Sequence, residues 1–292
     1  MAKTREIKNR IKAVSNIKRI TNTMQLIATA KFQQASRRAT ATKPYTEKVA
    51  ELVGELAQAA GGGGVDHPLL HRPDPPAGRE AMLVLTSNRG LCGGYNASIL
   101  RTANALMNKA GDTEFPLEIV GKKGIAYYRF MGREIALSHS EMDDEPGYDE
   151  VNAVAERLID EFTAGKYDAV HVAYMKFISN SKQSPVVETL LPAEPPEADE
   201  DEGPAGEVTY DFSPDPATLL NELLPITVKT RLFQFFNDAA VSEHVARMVA
   251  MKTATDNADQ MQTTLTRRFN RARQTQITNE LIEVVTGAQA VA

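Results

Sequence analysis

Residues 11–35 read IKAVSNIKRITNTMQLIATAKFQQA, and the stretch holds no glycine or proline; the gap runs from Lys3 to Lys43. Apolar or small residues recur at Ile7, Ile11, Val14, Ile17, Thr21, Met24, Ala28 and Ala35, mostly in steps of three or four. That spacing is the stripe of a helix packed on another helix. It resumes beyond Pro44 at Val49, Leu52 and Leu56, so Pro44 is expected to kink the helix rather than end it. Gly54 weakens the extension without forbidding it. The run stops at Gly61-Gly62-Gly63-Gly64. A helix of about 55 residues would span about 80 Å at about 1.5 Å per residue.

The other end of the chain mirrors this one. Pro225 suits a helix start, and no glycine or proline follows it until Gly287. Val245, Met248, Met251, Ala254, Ala258, Met261, Leu265, Phe269 and Ala272 again step by three or four, and Leu281 and Val284 extend the stripe. Two helices of matched length at opposite termini predict an antiparallel coiled coil. Its seam is unusual, because Thr21, Ala28, Ala254 and Ala258 are small or polar. Small residues allow close approach but bury little area, so such a coil should be only modestly stable.

Between the two helices the pattern alternates. Strands are expected at AMLVLT (81–86), LEIV (117–120), EIAL (134–137), AVHVAYMKF (169–177) and VVETLL (186–191). Helices are expected over Ser98–Lys109, the GIAYYRFM segment and Asn152–Phe162. Strand–helix alternation predicts a doubly wound α/β sheet. The expected fold class is thus α/β: a long antiparallel coiled coil of N- and C-terminal helices with an inserted Rossmann-like α/β domain. The boundaries fall at 1–60, 61–215 and 216–292, with an acidic loop at 192–206.

The composition is that of an ordinary globular protein, with 42% hydrophobic residues, no tryptophan and one cysteine in 292 residues. A single cysteine excludes an internal disulfide framework and fits a reducing compartment. The start MAKTREIKNR lacks the apolar stretch of a signal peptide, and no segment has the apolar length of a membrane span. No direct membrane insertion is therefore expected. The net charge of −5 hides an asymmetry. Twelve cations occupy the first fifty residues against Glu6 and Glu47, whereas Glu188–Asp215 contains no Lys or Arg and includes EADEDEG. A basic surface for an anionic partner and a solvated acidic loop follow.

The glycine-rich stretch SNRGLCGGYN (87–96) follows the first strand, where phosphates often bind. The dinucleotide spacing Gly-x-Gly-x-x-Gly fails, because Leu91 and Cys92 separate Gly90 from Gly93. Neither Gly121-Lys122 nor Gly165-Lys166 completes a P-loop. Cys92 has no recognisable histidine partner, so a buried thiol in a tight turn or a partner contact is favoured over a nucleophile. Arg89, on an exposed turn, is expected to meet a carboxylate. No Cys-x-x-Cys pair exists, and Pro68 separates His67 from His71, so no metal site is expected. The cations of the first helix surround it and lack interleaved aromatics, which argues against nucleic acid. No catalytic residue and no cofactor is assigned.

RFNRARQTQITNELIEVVTGAQA (268–290) resembles the gamma subunit of bacterial F-type ATP synthases. The family's C-terminal pattern is filled by Ile277, Thr278, Glu280, Glu283, Gly287 and Ala288. SEHVARMVAMKTATDNA (242–258), residues 11–35 and SNRGLCGGYN resemble its other blocks, so the likeness covers essentially the whole chain. Asn88 stands where the family usually has Asp, and the loop 192–206 looks longer than is common. Chloroplast members carry a regulatory cysteine pair, which Cys92 alone cannot form.

The resemblance implies a rotor shaft inside a ring of alpha and beta subunits. The α/β domain would meet the epsilon subunit and the ring of c subunits, at the cytoplasmic face of the bacterial plasma membrane. It implies that Arg89 and Cys92 belong to a surface facing the acidic lower part of a beta subunit. It also places Met24 beside Arg247, Gln274, Thr278 and Glu280 in a coupling region, and sets the uncharged tip 284–292 in an apolar sleeve. The acidic loop 192–206 is expected to be dispensable for rotation unless it meets an inhibitory subunit.

Overall fold

The computed structural model describes residues 2–59, 67–111, 113–193 and 216–291. The elements in order are α1 (Ala2–Ala59), β1 (Glu80–Leu85), α2 (Tyr95–Lys109), β2 (Leu117–Val120), α3 (Lys122–Phe130), β3 (Leu137–His139), α4 (Tyr148–Thr163), β4 (Ala169–Ser179), β5 (Lys182–Leu191) and α5 (Pro216–Val291). Most of the acidic loop expected at 192–206 lies outside the described residues. The chain divides into two compact units, one of residues 31–246 and one of residues 1–30 with 247–292.

The unit of residues 31–246 is built on a five-stranded sheet of order β3-β2-β1-β4-β5. Strands β1 to β4 are parallel and β5 returns antiparallel beside β4. β1 is buried along nearly its whole length, as a parallel strand covered on both faces must be. Met82 and Val84 point to one face, where Ile99 and Ala103 of α2 and Ile125 and Tyr128 of α3 cover them. Leu83 and Leu85 point to the other, packed with Val151, Leu158 and Phe162 of α4. That second face also receives Val53 and Leu56 of α1 and Leu220, Leu224, Leu232 and Phe236 of α5. Tyr174 of β4 stacks on Phe235, with ring centroids 4.6 Å apart.

Two expectations are corrected in this unit. EIAL was expected to be the third strand, but β3 is Leu137–His139. Residues 132–136 are taken up in leaving α3: Gly132 adopts φ 67°, and the Arg133 N–H donates to the Tyr128 carbonyl. Pro225 does not start α5; it lies inside the helix. Leu220 and Leu224, just before it, have almost no exposed surface. Their burial outweighs the backbone hydrogen bond that a proline removes.

In the unit of residues 1–30 and 247–292, α1 and α5 run antiparallel. Thr4 donates to Gln276 at 2.9 Å, Lys18 pairs with Asp259, and Thr255 donates to Thr21 at 2.8 Å. Rising numbers on one helix meet falling numbers on the other. Val14, Thr21 and Ala28 are the buried α1 positions, spaced by seven. On α5 Met251 and Ala258 are buried with the same spacing. A strict seven-residue repeat marks a left-handed supercoil. Ile17 and Met261, expected on the stripe, are 52% and 55% exposed, while their neighbours Lys18 and Gln262 are partly covered. A repeat of seven selects one residue in each three-or-four step, and Lys18 can lay its aliphatic stem along the seam with its charge on Asp259. Leu281 and Val284 extend no seam: Thr4 already lies level with Gln276, so α5 continues past the start of α1, and both are largely exposed.

Candidate functional site

The turn after β1 is tied together by its own side chains. The Ser87 N–H donates to Asn96 Oδ1 at 3.0 Å, and Ser87 Oγ donates to the Arg89 carbonyl at 2.7 Å. Asn96 Nδ2 reaches Ser87 Oγ at 2.7 Å and Cys92 Sγ at 3.3 Å. Asn88 Nδ2 donates to the Met142 carbonyl at 3.0 Å and to Asp144 at 3.1 Å, while the Lys122 N–H donates to Asn88 Oδ1 at 3.2 Å. An amide suits this position, because a second carboxylate beside Asp144 would meet it with like charge. Thr86 Oγ1 donates to the Val120 carbonyl and accepts from the Gly124 N–H. Gly121, at φ 94°, passes so close to Thr86 that an added Cβ would lie 2.0 Å from the Thr86 carbonyl oxygen.

β1 and β4 are neighbours whose connections leave in opposite directions, which is where α/β sheets hold nucleotides. Here the space at the end of β1 is a cavity of about 30 Å³ lined by Asn88, Tyr95, Asp143, Asp144 and Glu243. Ligand sites run to roughly 300–1,000 Å³, and carboxylates repel phosphate. Tyr95 Oη occupies part of this region by donating to the Ala239 carbonyl at 3.1 Å. Among the described residues, no group of three or more His, Cys, Asp or Glu is placed to hold a metal ion. No described helix is long and apolar enough to cross a membrane.

The turn and the paired helices also present exposed side chains. Of the turn, Arg89 is 79% exposed and lies 4.0 Å from Asp144, and Leu91 is 61% exposed. Leu91 adopts φ 65°, a left-handed conformation that costs an L-residue about 1–2 kcal/mol. In the unit of residues 1–30 and 247–292, Ile20, Leu26 and Ile27 of α1 and Ile277, Leu281 and Ile282 of α5 are all more than half exposed. Such a density of outward apolar side chains marks an interaction surface.

A family model described as ATP synthase matches residues 3–291. The ATP synthase gamma chain of Rhodopirellula baltica is 44% identical over 298 residues, covering 100% of this chain and 99% of the relative. The gamma chain of Saccharopolyspora erythraea is 41% identical over 308 residues, covering 100% and 98%. The chain belongs to the ATP synthase gamma chain family. A chain of Euglena gracilis mitochondrial ATP synthase, from a structure of its OSCP/F1/c-ring in rotational state 3, superposes with a TM-score of 0.66 at 14% identity. It covers 99% of this chain and 95% of that one, a likeness of fold.

Set on a gamma-chain fold, the residues chosen from sequence separate into three places. Arg89 is on the surface, as expected. Cys92 is not: only 2% of it is exposed, and its thiol sits against Ser87 and Asn96 beneath the turn. A small side chain there lets the turn close, and Cys92 does not belong to a contact surface. Met24 is half-buried near the level of Lys252 and so falls close to Arg247, which is itself buried. Gln274, Thr278 and Glu280 are exposed and lie about 33–42 Å further along α5, at about 1.5 Å per residue. The five do not form one cluster, because antiparallel pairing sets Gln276 beside Thr4 rather than beside Met24. Thr278 spends its hydroxyl on the Gln274 carbonyl, and Glu280 accepts from Gln276.

Sequence reasoning did not single out Leu91, whose exposure and positive φ the structure shows. The available signal was a lone branched side chain in a stretch with Gly90, Gly93 and Gly94 around it.

Proposed function

We propose that this chain is the gamma subunit, the central rotor shaft, of a proton-translocating F-type ATP synthase, coupling proton-driven rotation to ATP synthesis or hydrolysis on the beta subunits. The observation that carries the reading is the pair α1 and α5 in the unit of residues 1–30 and 247–292. Its seam includes the small or polar Thr21, Ala28 and Ala258, while Ile17, Ile20, Leu26, Ile27, Ile277, Leu281 and Ile282 lie exposed among the charged residues of its outer surface. That many large apolar side chains on the outside of a two-helix coil favour a shaft enclosed by partners. A ring of alpha and beta subunits is the enclosure, and the epsilon subunit and the c-subunit ring are the partners of the α/β sheet.

The chain supplies no chemistry of its own. An asymmetric shaft in a near-threefold ring presents a different face to each beta subunit. Each nucleotide site is then biased toward a different affinity, and rotation passes those biases around the ring. Arg89, the Met24 and Arg247 stretch, and the Gln274, Thr278 and Glu280 stretch serve as three separate contacts rather than one coupling site. The protein works at the cytoplasmic face of the bacterial plasma membrane, held there through its partners. Residues 1–30 and 247–292 then serve as the shaft, and residues 31–246, which take in the inner stretches of both terminal helices, serve as the domain on the sheet.

The decisive test is reconstitution of the chain with purified alpha and beta subunits. Co-purification in one complex that hydrolyses ATP, and that pumps protons when joined to the membrane ring, supports the reading. An alpha–beta complex with unchanged activity whether or not the chain is added would refute it. Met24→Lys adds a cation at the Arg247 level and should lower protons pumped per ATP more than assembly. A wild-type ratio in that variant would leave Met24 as packing alone.

A further inference from the structure

Asp238 of α5 is a largely buried acid that the shaft reading leaves without a role. It lines a cavity of about 460 Å³ enclosed by α1, α5, β4 and β5, all within the unit of residues 31–246. That volume falls in the range of small-molecule sites, roughly 300–1,000 Å³. Three aromatic side chains contribute to its walls. Tyr174 and Phe235 are buried and stacked on one another, and Phe177 is half-buried.

The charges around the cavity are unevenly partnered. Lys176 lies 2.8 Å from Glu188, Arg231 lies 3.9 Å from the same carboxyl group, and Lys43 lies 3.5 Å from Glu47. Asp238 instead accepts from Gln234 at 2.9 Å, a bond that brings no charge. Burial pushes the Asp238 carboxyl up to about 6, and the pulls of Gln234, Lys176 and Lys43 do not offset it. The ionised carboxylate is therefore under-compensated, and a cation entering the cavity would supply what the fold withholds. An anion would have to take a cation that Glu188 or Glu47 already holds. Aromatic walls accept both an apolar body and an ammonium head.

We propose that this cavity is a binding site for a small arylalkyl amine, its ammonium on the Asp238 carboxylate and its body against Phe177 and Phe235. The site is independent of the rotor-shaft reading, since every group it uses belongs to the unit of residues 31–246.

Calorimetric titration of the full chain with 2-phenylethylammonium tests it, with 2-phenylethanol as the uncharged counterpart. At about pH 7.5 the ammonium should bind in a saturable one-to-one isotherm, and the alcohol about tenfold more weakly for want of a charged hydrogen bond. At about pH 5 a carboxyl titrating near 6 is about nine-tenths protonated, so binding of the ammonium should weaken about tenfold. The other charged or titratable groups facing Asp238 are Lys43 and Glu47 from α1, Lys176 and Tyr174 from β4, Glu188 from β5 and Arg231 from α5. Among the described residues no histidine lines the cavity to confuse that window. Asp238→Asn should bind about tenfold more weakly at about pH 7.5 and lose the pH dependence. If that variant does not fold, the wild-type pH profile decides alone. No saturable binding to the wild type, equal binding of the alcohol, an isotherm indifferent to pH, or wild-type affinity in Asp238→Asn would each overturn the site.

Discussion

In the unit of residues 31–246, Ile119, Tyr128 and Leu158 have almost no exposed surface, and both faces of the sheet are covered. In the unit of residues 1–30 and 247–292, the buried positions include Thr21, Ala28 and Ala258, while Ile20, Leu26 and Ile27 face outward. The first unit buries most of its large apolar side chains, with Phe130, Leu91 and Met131 among the exceptions. The second gives its seam to small residues, which bury little, and spends its large ones on the surface. Stability by self-burial and function by exposed contact are thus placed on different stretches of the same two helices.

Substitutions can break or sharpen this contrast. Gly121→Ala in the sheet unit should have the largest effect, a loss above about 3 kcal/mol, because the new Cβ meets the Thr86 backbone at a positive φ. Urea unfolding of the full chain measures it, and a loss under about 1 kcal/mol would mean the strand end shifts freely. Ile119→Ala should cost about 3–4 kcal/mol by the same measurement, the usual toll of a cavity in a packed core.

Asp238 gives a smaller effect of opposite sign. Burial pushes its carboxyl up to about 6, against weaker pulls downward from Gln234, Lys176 and Lys43. The folded state therefore holds a proton that the unfolded chain releases near pH 4, and stability falls as pH rises from about 4 to 6. Asp238→Asn should stabilise the chain by about 1–2 kcal/mol at pH 7 and by nothing near pH 3.5. Equal effects at both pH values would show that the carboxyl is solvated.

The paired ends of α1 and α5 should respond less. Val14→Ala should cost about 1 kcal/mol, seen as faster hydrogen exchange in residues 2–30 with that of β1 and β4 unaltered. A loss as large as that of Ile119→Ala would erase the contrast. Lys18→Ala, which removes an exposed pair with Asp259, should change stability by less than about 0.5 kcal/mol. A larger cost would mean that the lysine stem is part of the core of the coil.

The residues that sequence reading placed well are those whose environment is local. LEIV at 117–120 and the helix following Gly121 lie where apolar runs and glycine put them. The misplaced ones depend on a distant partner. Ile17 and Lys18 differ in burial only because a second helix imposes a repeat of seven. Pro225 is inside α5 only because Leu220 and Leu224 have a sheet to cover. Met24 was set beside Gln274 because motif blocks carry no register, and register is fixed by pairs such as Thr4 with Gln276. Cys92 lies beneath its turn while Leu91 lies outside it, because a one-residue change of side in a tight turn leaves no periodic trace.

The polar rungs between α1 and α5, Thr4 with Gln276, Lys18 with Asp259 and Thr21 with Thr255, act as a vernier. Apolar heptads look alike after a slide of seven residues, so they fix the facing side of each helix but not its alignment. The rungs are unevenly spaced and match in one alignment only. Length changes in this part of the chain are therefore heritable as matched pairs: removing 7–13 alone should put Thr4 out of step with Gln276, and removing 265–271 as well should bring Thr4 back opposite Gln276. Comparing crosslinking between positions 4 and 276 in the single and double deletions would read the vernier directly.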